Sequence, residues 1–422
     1  MNILLLDRTP VDTVKVSGFI VQHDFVALDS CTHFGTTCID LSECKVANDS
    51  LPKGTFAFSN IEEFKFPRDT RVIGNSFFYE SKLKHVDIPS TVRHIDYFAF
   101  MKCYNLDGEV VIPEGVTKIK DYTFSYCHSI DRISLPNSLK EIWSHAFSDI
   151  YNYDIDLVLP QGLEKLCSHA FFCFWGFQGK EFTIPESVHT IEPSVFVFAD
   201  VKEVNLPDHI ESIPMSFFRE SKIEEIDFPK SLVTIDDYAF QYCELLKEAI
   251  LPEKVKSIGM EAFYYNSALT RVVLPAGIET IGEESFAECP MLNDFYVKAV
   301  TPPTVKPKTF DRQGEMTLYV PVGAKEAYAA ADHWKDFGEI VEVEEFPSAG
   351  REAVIAGKGE AVRVYGATGA VVIEGEGARY AIFTTDGREV ASGIADGRTE
   401  VPLPQGIYVA RTGSASHRIA VR

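Results

Sequence analysis

The chain has 422 residues and is strongly acidic, because 62 Asp and Glu residues outnumber 40 Lys and Arg residues and give a formal net charge of −22. Residues 346–422 hold 9 basic and 8 acidic residues, so the negative charge lies in residues 1–345 and argues against nucleic-acid and anionic-lipid partners. No run of 18 apolar residues is present, so no segment is expected to span a membrane. Met1 to Leu6 is too short for a secretion signal, and we expect none within this chain.

Residues 1–54 do not follow the repeat that begins after them, and we predict that they form an irregular N-terminal cap. Cys31, Cys38 and Cys44 lie in this segment and could include one disulfide. The chain has nine cysteines, an odd number, so at least one thiol has no partner within the chain.

A repeated frame occupies residues 55–294. Each repeat is numbered here from its proline: apolar residues stand at −3, −1, +3, +6 and +11, and Thr70 is the one exception among the fifty slots. The repeats begin at ten prolines: Pro67, Pro89, Pro113, Pro136, Pro160, Pro185, Pro207, Pro229, Pro252 and Pro275. Position +11 is always phenylalanine: Phe78, Phe100, Phe124, Phe147, Phe171, Phe196, Phe218, Phe240, Phe263 and Phe286. This recurrence at 22 to 25 residues predicts a stacked repeat protein.

The physical meaning of one repeat is visible in Leu83 to Phe100. Val86 and Ile88 alternate with polar residues, which is the period of a strand with one buried face. Pro89 ends that strand, a second short segment turns the apolar residues at +3 and +6 inward, and Phe100 closes the coil. One coil cannot cover both sides of this layer, so neighbours must stack at about 4.8 Å. We therefore predict a mainly β solenoid.

The frame, LxxVxIPxxVxxIxxxAFxxC, resembles the BspA-like (Treponema-type) leucine-rich repeat family over roughly residues 55–345. The resemblance implies a parallel sheet along the array and a non-enzymatic cell-surface or secreted scaffold that adheres to host proteins or other cells. Residues 295–345 are predicted to close the array, with Tyr328, Trp334 and Phe337 covering its last coil.

Composition changes after residue 346, and residues 346–422 are predicted to form a small antiparallel β-sandwich domain. Asp386-Gly387 between two β-type runs is a hairpin signal. The segment resembles C-terminal β domains of exported Bacteroidetes proteins, including type IX secretion sorting domains, through Gly406, Ile407, Tyr408 and Val409. The resemblance implies an extracellular or outer-membrane-associated protein, although His417-Arg418 stands where lysine is usual.

No catalytic residue, metal site or cofactor is expected, because the chain lacks the sequence motifs of nucleophilic, phosphate-binding, zinc-protease and calcium sites. Cys167 and Cys173 flank His169 but have no fourth ligand nearby. Four cysteines share position +14, which we predict to face the core: Cys103, Cys127, Cys243 and Cys289.

Position −4 should project from the solvent side of the parallel sheet, and it is acidic in seven of ten repeats. These residues define the acidic row: Glu63, Glu109, Asp156, Glu181, Glu203, Glu225 and Glu248. Its function is either simple solubility of an exposed sheet or docking of a basic partner or divalent cations on the concave face, for which Glu181, Glu203, Glu225 and Glu248 are the candidate residues.

Two long coils carry aromatic residues beyond +14, and stacking should place them side by side. This predicted aromatic edge comprises Tyr151, Tyr153, Trp175 and Phe177. These rings either fill a wider coil or bind a sugar or a protein from the surface.

We predict from these patterns a monomeric adhesin that binds a protein on its concave face. A glycan-capturing accessory protein, acting through the aromatic edge, is one alternative, and a structural spacer without a ligand is another.

Overall fold

A computed structural model describes residues 11–153, 155–177, 181–347, 353–355, 362–367, 369–374, 379–384, 388–395, 398–412 and 415–421. The chain divides into two compact units, Met1–Phe346 and Pro347–Arg422. The first unit is a solenoid of stacked parallel strands, which confirms the predicted fold class.

The solenoid begins with strand β1 (Thr13–Ile20), helix α1 (Gln22–His33) and strand β2 (Cys38–Val46). β1 pairs in parallel with β2, and β2 pairs with Glu63–Lys65 of the first coil. At the start of α1, the Val21 N–H donates to the Asp24 carboxylate at 2.9 Å.

Every coil contributes one strand before its proline, except that the coil of Pro229 has a single bridge at Glu225. These strands pair in parallel with their neighbours along several stretches of the array. The strands of this first series, including those of the closing segment, are Glu63–Lys65, His85–Val86, Gly108–Val111, Ile130–Ser134, Asp156–Leu157, Glu181–Thr183, Glu203–Asn205, Glu248–Ile250, Arg271–Leu274, Asp294–Val297, Thr317–Pro321 and Glu339–Val343.

A second series of two-residue strands carries the apolar residue at +6 and also pairs in parallel from coil to coil. They are Val72–Ile73, His94–Ile95, Lys118–Ile119, Glu141–Ile142, Lys165–Leu166, Thr190–Ile191, Ser212–Ile213, Thr234–Ile235, Ser257–Ile258, Thr280–Ile281 and Thr304–Val305. Short 3₁₀ turns at Ala47–Asp49 and Gln313–Glu315 and helix α2 (Lys325–Ala330) complete the unit.

The phenylalanines at +11 form a continuous stack inside the solenoid. All ten are buried, and their centroids lie 5.0 to 5.9 Å from those of their neighbours, with rings within 26° of parallel. Phe56 and Phe310 extend the stack at its two ends. Each ring therefore covers the apolar face that the preceding coil cannot bury by itself.

The turn that follows the second strand has an unusual backbone. In every coil the residues at +9 and +13 are not glycine, yet their φ angles lie between 50° and 65°. Such left-handed residues cost about 1 kcal/mol each, which is offset here because the turn directs its N–H groups at the next coil. Phe98, Phe100 and Lys102, for example, donate to carbonyls of the following coil at 2.8 to 3.1 Å.

The cysteines at +14 are buried, and each thiol donates to the carbonyl of the +11 phenylalanine one coil earlier at 3.0 to 3.2 Å. Asn266 makes the same bond from the same slot at 3.1 Å. Burial raises the pKa of Cys103, Cys243 and Cys289 to about 12. All nine cysteines, each within the described residues, are free thiols, so the cap disulfide left open by the sequence is not formed.

The closing segment places Tyr328, Trp334 and Phe337 in the core of the first unit. The Tyr328 hydroxyl donates to the Ala299 carbonyl at 2.8 Å, and the Trp334 indole donates to the Pro303 carbonyl at 3.0 Å. Their polar atoms are thus satisfied while their rings cover the final coil.

The described residues of the second unit form two four-stranded antiparallel sheets. Its strands are Ala353–Ile355, Val362–Ala367, Ala370–Glu374, Arg379–Thr384, Glu389–Ile394, Arg398–Pro402, Gly406–Thr412 and Ala415–Val421. One apolar cluster contains residues from both sheets, including Val371, Ile382 and Tyr408. Asp386-Gly387 lies outside the described residues, but the strands that flank it pair antiparallel.

Candidate functional site

The acidic row lies on the solvent side of the first-series sheet, where adjacent strands bring its central members together. Glu181 is in register with Glu203, which in turn bridges to Glu225. Glu181 and Glu248 are exposed, whereas Glu225 is half-buried. Three glutamates in consecutive coils therefore form the most acidic part of this surface.

The prediction that every member of this row projects into solvent is wrong for Glu203, which is only 6% exposed. Its strand pairs with that of Glu181 and bridges to Glu225. A partner docking on the sheet would have limited access to this carboxylate.

Two arginines form ion pairs with members of the acidic row on either side of its three central glutamates. Arg132 Nη2 lies 2.7 Å from Asp156 Oδ2, and Arg271 Nη1 lies 3.1 Å from Glu248 Oε1. These pairs are exposed, so each contributes about 0–1 kcal/mol, but they neutralise the ends of the row. Among the described residues no group of three His, Cys, Asp or Glu side chains is arranged to hold a metal ion, and this includes the region of Cys167 and Cys173.

The aromatic edge is partly on the surface. Tyr151 and Tyr153 are 37% and 47% exposed, and Trp175 is half-buried between them, with centroid distances of 5.0 and 5.8 Å. The backbone N–H of Trp175 donates to the Ile150 carbonyl at 2.9 Å, which fixes the two long coils against each other. Stacking therefore places these three residues together, as the sequence predicts.

Phe177, in contrast, is a core residue with 3% exposure, and its prediction as a surface binding residue is wrong. Its ring lies 4.3 Å from Phe174 and 4.1 Å from Phe182. The chain can turn inward at this point because Gly176 has no side chain, and a Cβ there would clash with Ile155. The insertion thus fills a wider coil with Phe177 and leaves Trp175 outside.

The surface aromatic residues extend beyond the two long coils. Position +15 is aromatic in four consecutive coils, and the rings form one row: Tyr104, His128, Tyr151 and Trp175. Successive centroids lie 5.5, 4.8 and 5.0 Å apart. Sequence reasoning missed Tyr104 and His128, although comparing position +15 across all coils would have found them.

The same four coils carry a second aromatic row at +9: Phe98, Tyr122, His145 and His169. Its centroid distances are 5.2, 4.6 and 4.8 Å, and its rings lie within 12° of parallel. Phe172 contacts the end of this row and also lies 5.5 Å from Phe198, which is 37% exposed. We call the two rows together the aromatic face.

Small and polar side chains lie between the rows in the two central coils. The Ser125 and Ser148 hydroxyls are buried and 2.8 Å apart, and the Asp149 carboxylate, 8% exposed, accepts a bond from the Tyr151 hydroxyl at 3.3 Å. Burial raises the pKa of Asp149, and hydrogen bonds from Ser148 and Tyr151 oppose that rise.

The histidine rings of the aromatic face and its Tyr151 are uncharged near pH 7. Burial, with a smaller contribution from the neighbouring His169, lowers the pKa of His145 to about 4. Burial also lowers the pKa of His128 and of His169. Burial beside Asp149 raises the pKa of Tyr151 to about 12, so its hydroxyl keeps its proton. The face therefore combines apolar rings with uncharged hydrogen-bonding groups.

Comparison with known proteins agrees with this fold. The model of the BspA type leucine rich repeat region matches residues 49–174, 105–196 and 172–293, with six copies. A leucine-rich repeat protein from Bacteroides ovatus is similar at 19% identity and a TM-score of 0.51, over 72% of this chain and 84% of that one. The pneumococcal vaccine antigen PcpA is similar at 19% identity and a TM-score of 0.45, over 74% and 80% of the respective chains. No curated protein matches the sequence significantly.

Among the described residues, no helix is both long enough and apolar enough to cross a bilayer.

Proposed function

Because the chain belongs to the BspA-type leucine-rich repeat family, we propose that it is a non-enzymatic interaction scaffold at the cell surface or outside the cell, an adhesin that binds a protein partner. Fold alone does not identify a partner, so the binding surface must be argued from its residues. The aromatic face is the observation that carries this proposal.

The solenoid does not need aromatic residues at position +15. Outside the four coils of the aromatic face this position is Lys82, Asp200, Lys222, Glu244, Ser267 or Pro290, and those coils keep the same frame. Tyrosine and tryptophan are enriched at the energetic centres of protein interfaces because they bury large apolar areas and still form hydrogen bonds. A run of such residues confined to four adjacent coils supports a binding role.

The acidic row is a weaker candidate for the main contact surface. Arg132 and Arg271 neutralise carboxylates towards its ends, and Glu203 is poorly accessible. Exposed charges act chiefly by steering encounter, so Glu181, Glu225 and Glu248 favour an auxiliary role in attracting basic regions of a partner.

Glycan capture is the second candidate function, and the orientation of Trp175 favours it. The Trp175 ring is rotated by 64° from Tyr151 and by 41° from Tyr153, so it leaves the stacked order of the row. A ring that is not covered by a parallel neighbour can present its face to a sugar.

The test is binding of the full-length protein to a panel of extracellular-matrix proteins and to a neutral glycan array. We expect wild-type protein to bind a panel protein and the variant Trp175→Ala to lose at least about tenfold in affinity, as for an interface anchor. Tyr265→Ala is the matched control, because Tyr265 is 40% exposed but lies in a coil outside the aromatic face.

Equal binding by Trp175→Ala would exclude the aromatic face. Loss of glycan binding alone would favour the second candidate, and binding to neither panel would favour a structural spacer. A triple charge reversal of Glu181, Glu225 and Glu248 to Lys should weaken protein binding mainly at low salt, because long-range charge effects are screened at high salt.

A further inference from the structure

The aromatic face differs in charge from the rest of its unit. Residues 1–345 carry the acidic excess of the chain, yet the histidines of this face are uncharged near pH 7 and the Asp149 carboxylate is buried. Lys102, at position +13 between the two rows, lies 3.5 Å from Glu80. Such a surface does not complement a strongly charged partner, and it favours an uncharged one.

The aromatic face can supply hydrogen-bond donors to a ligand. The Trp175 indole N–H only donates, whereas tyrosine hydroxyls and neutral imidazoles can both donate and accept. An α-helix satisfies its own backbone carbonyls, and a β-strand presents as many N–H donors as acceptors. A polyproline II segment has no internal hydrogen bonds, and its prolines have no N–H, so it presents carbonyl acceptors to such a surface.

The spacing of the rings also suits a polyproline II segment. Coils stack at about 4.8 Å, so two coils advance about 9.6 Å along the solenoid. A polyproline II helix repeats every three residues with a rise of about 3.1 Å each, which is about 9.3 Å per turn. A β-strand returns a side chain to the same side after about 6.7 Å, which does not match the coil spacing. Proline rings one turn apart can therefore meet equivalent aromatic positions in every second coil.

We propose that the aromatic face binds an uncharged, proline-rich segment in the polyproline II conformation. The segment lies along the solenoid axis over the four coils, its prolines pack against the rows at +9 and +15, and its carbonyls accept hydrogen bonds from tyrosine hydroxyls and from the Trp175 indole. This inference rests on the proposed function, because it assigns the chemistry of the partner to the same surface. Aromatic-lined surfaces in other proteins recognise proline-rich segments by this complementarity.

The test uses full-length protein and acetylated, amidated decaproline as the probe, with a Gly-Ser peptide of equal length and cellohexaose in parallel titrations. We expect saturable decaproline binding by calorimetry and no binding of the Gly-Ser peptide. Tyr151→Ala and Trp175→Ala should each weaken decaproline binding by about tenfold or more, as for central anchors. Tyr104→Phe should weaken it by about threefold, because the exposed Tyr104 hydroxyl can donate to the segment and the ring remains.

Three controls make the result interpretable. Tyr265→Ala should bind decaproline within about twofold of wild type, because it removes an equally exposed tyrosine elsewhere on the array. Raising the salt concentration should change the affinity by less than about twofold, since no ion pair is formed. Circular dichroism of each variant checks that the array is folded, and Tyr104→Phe keeps the test valid if Trp175→Ala is unstable.

The inference is overturned if decaproline does not bind, if the Gly-Ser peptide binds equally well, or if Tyr151→Ala and Trp175→Ala bind decaproline like wild type. Binding of cellohexaose but not decaproline also overturns it and assigns the face to a neutral glycan. If decaproline fails while Trp175→Ala still abolishes binding to a panel protein, the proposed function survives and only the partner chemistry is wrong.

Discussion

Removing the ring of Phe240 is the most direct test of the phenylalanine stack. This side chain is fully buried, and its centroid lies 5.3 Å from Phe218 and 5.0 Å from Phe263, with interplanar angles of 26° and 1°. Replacing a buried phenylalanine by alanine costs about 3–5 kcal/mol through lost transfer energy and the cavity that remains. The substitution also removes two stacked pairs, so we expect a loss near the upper end of that range for Phe240→Ala.

The location of the destabilised coils tests the assignment as directly as the total loss in free energy of unfolding. Coils in a solenoid contact only their neighbours, so the cavity should first loosen the coils of Phe218, Phe240 and Phe263. Native-state hydrogen exchange should show faster exchange across residues 218–263 and little change across the coils of residues 67–124. Urea unfolding measured by circular dichroism gives the total loss.

Phe198→Ala is the matched control, because Phe198 is a phenylalanine of the same array that is 37% exposed. Its loss should cost at least about 1 kcal/mol less than that of Phe240→Ala, since more than a third of Phe198 is already exposed in the folded chain. The assignment of the +11 slots to a continuous core would be refuted if the two substitutions cost the same, or if exchange protection around Phe240 were unchanged.

Three further predictions concern histidine, thiols and the boundary between units. The pKa of His145 is about 4 in the folded chain and 6.5 in the unfolded chain, so the unfolded chain binds the proton more tightly. The contribution of His145 to the free energy of unfolding is therefore complete above pH 6.5 and should fall as the pH drops towards 4. After solvent screening we expect His145 to account for about 1 kcal/mol of the loss measured by urea unfolding between pH 7 and 4.5, so the loss should be smaller by that amount in His145→Asn. In native protein the +14 thiols should resist iodoacetamide and react only on denaturation, and rapid native labelling would place the slot at the surface. Their residues are Cys103, Cys127, Cys243 and Cys289. A chain ending at Glu345 should retain one cooperative transition and wild-type affinity, whereas its precipitation would make residues 346–422 part of the array's cap.

The fold follows from the sequence because every coil repeats the same physical requirements. Even Thr70, the single polar residue among the apolar slots, is fully buried, and its hydroxyl donates to the Pro67 carbonyl at 2.8 Å. A threonine can therefore fill this slot without leaving a buried donor unpaired. The left-handed residues at +9 and +13 were not predictable in this way, because Phe98 and Lys102 have no sequence property that marks a positive φ.

The candidate site was predictable only where the frame holds. Tyr151 and Trp175 share position +15 in adjacent coils, so the sequence places them side by side. Phe177 lies in an insertion, where the frame gives no orientation, and the close approach at Gly176 turns it inward. Glu203 lies at a frame position that faces solvent, but its burial depends on three-dimensional packing that the frame does not encode.

A solenoid separates the residues that make its fold from those that can bind a partner. Stacking moves each frame position by about 4.8 Å per coil, so any residue type repeated at a free position becomes a straight row on the surface. The slots from −3 to +11 that hold apolar residues, together with the buried +14 slot, fix the core and leave +9 and +15 free to vary. At these two positions the first unit has aromatic rings in the coils of Pro89, Pro113, Pro136 and Pro160. The stacking of the coils does not require two rows of rings in the same four coils. A ligand that runs along the solenoid axis and contacts both rows explains why they occur together.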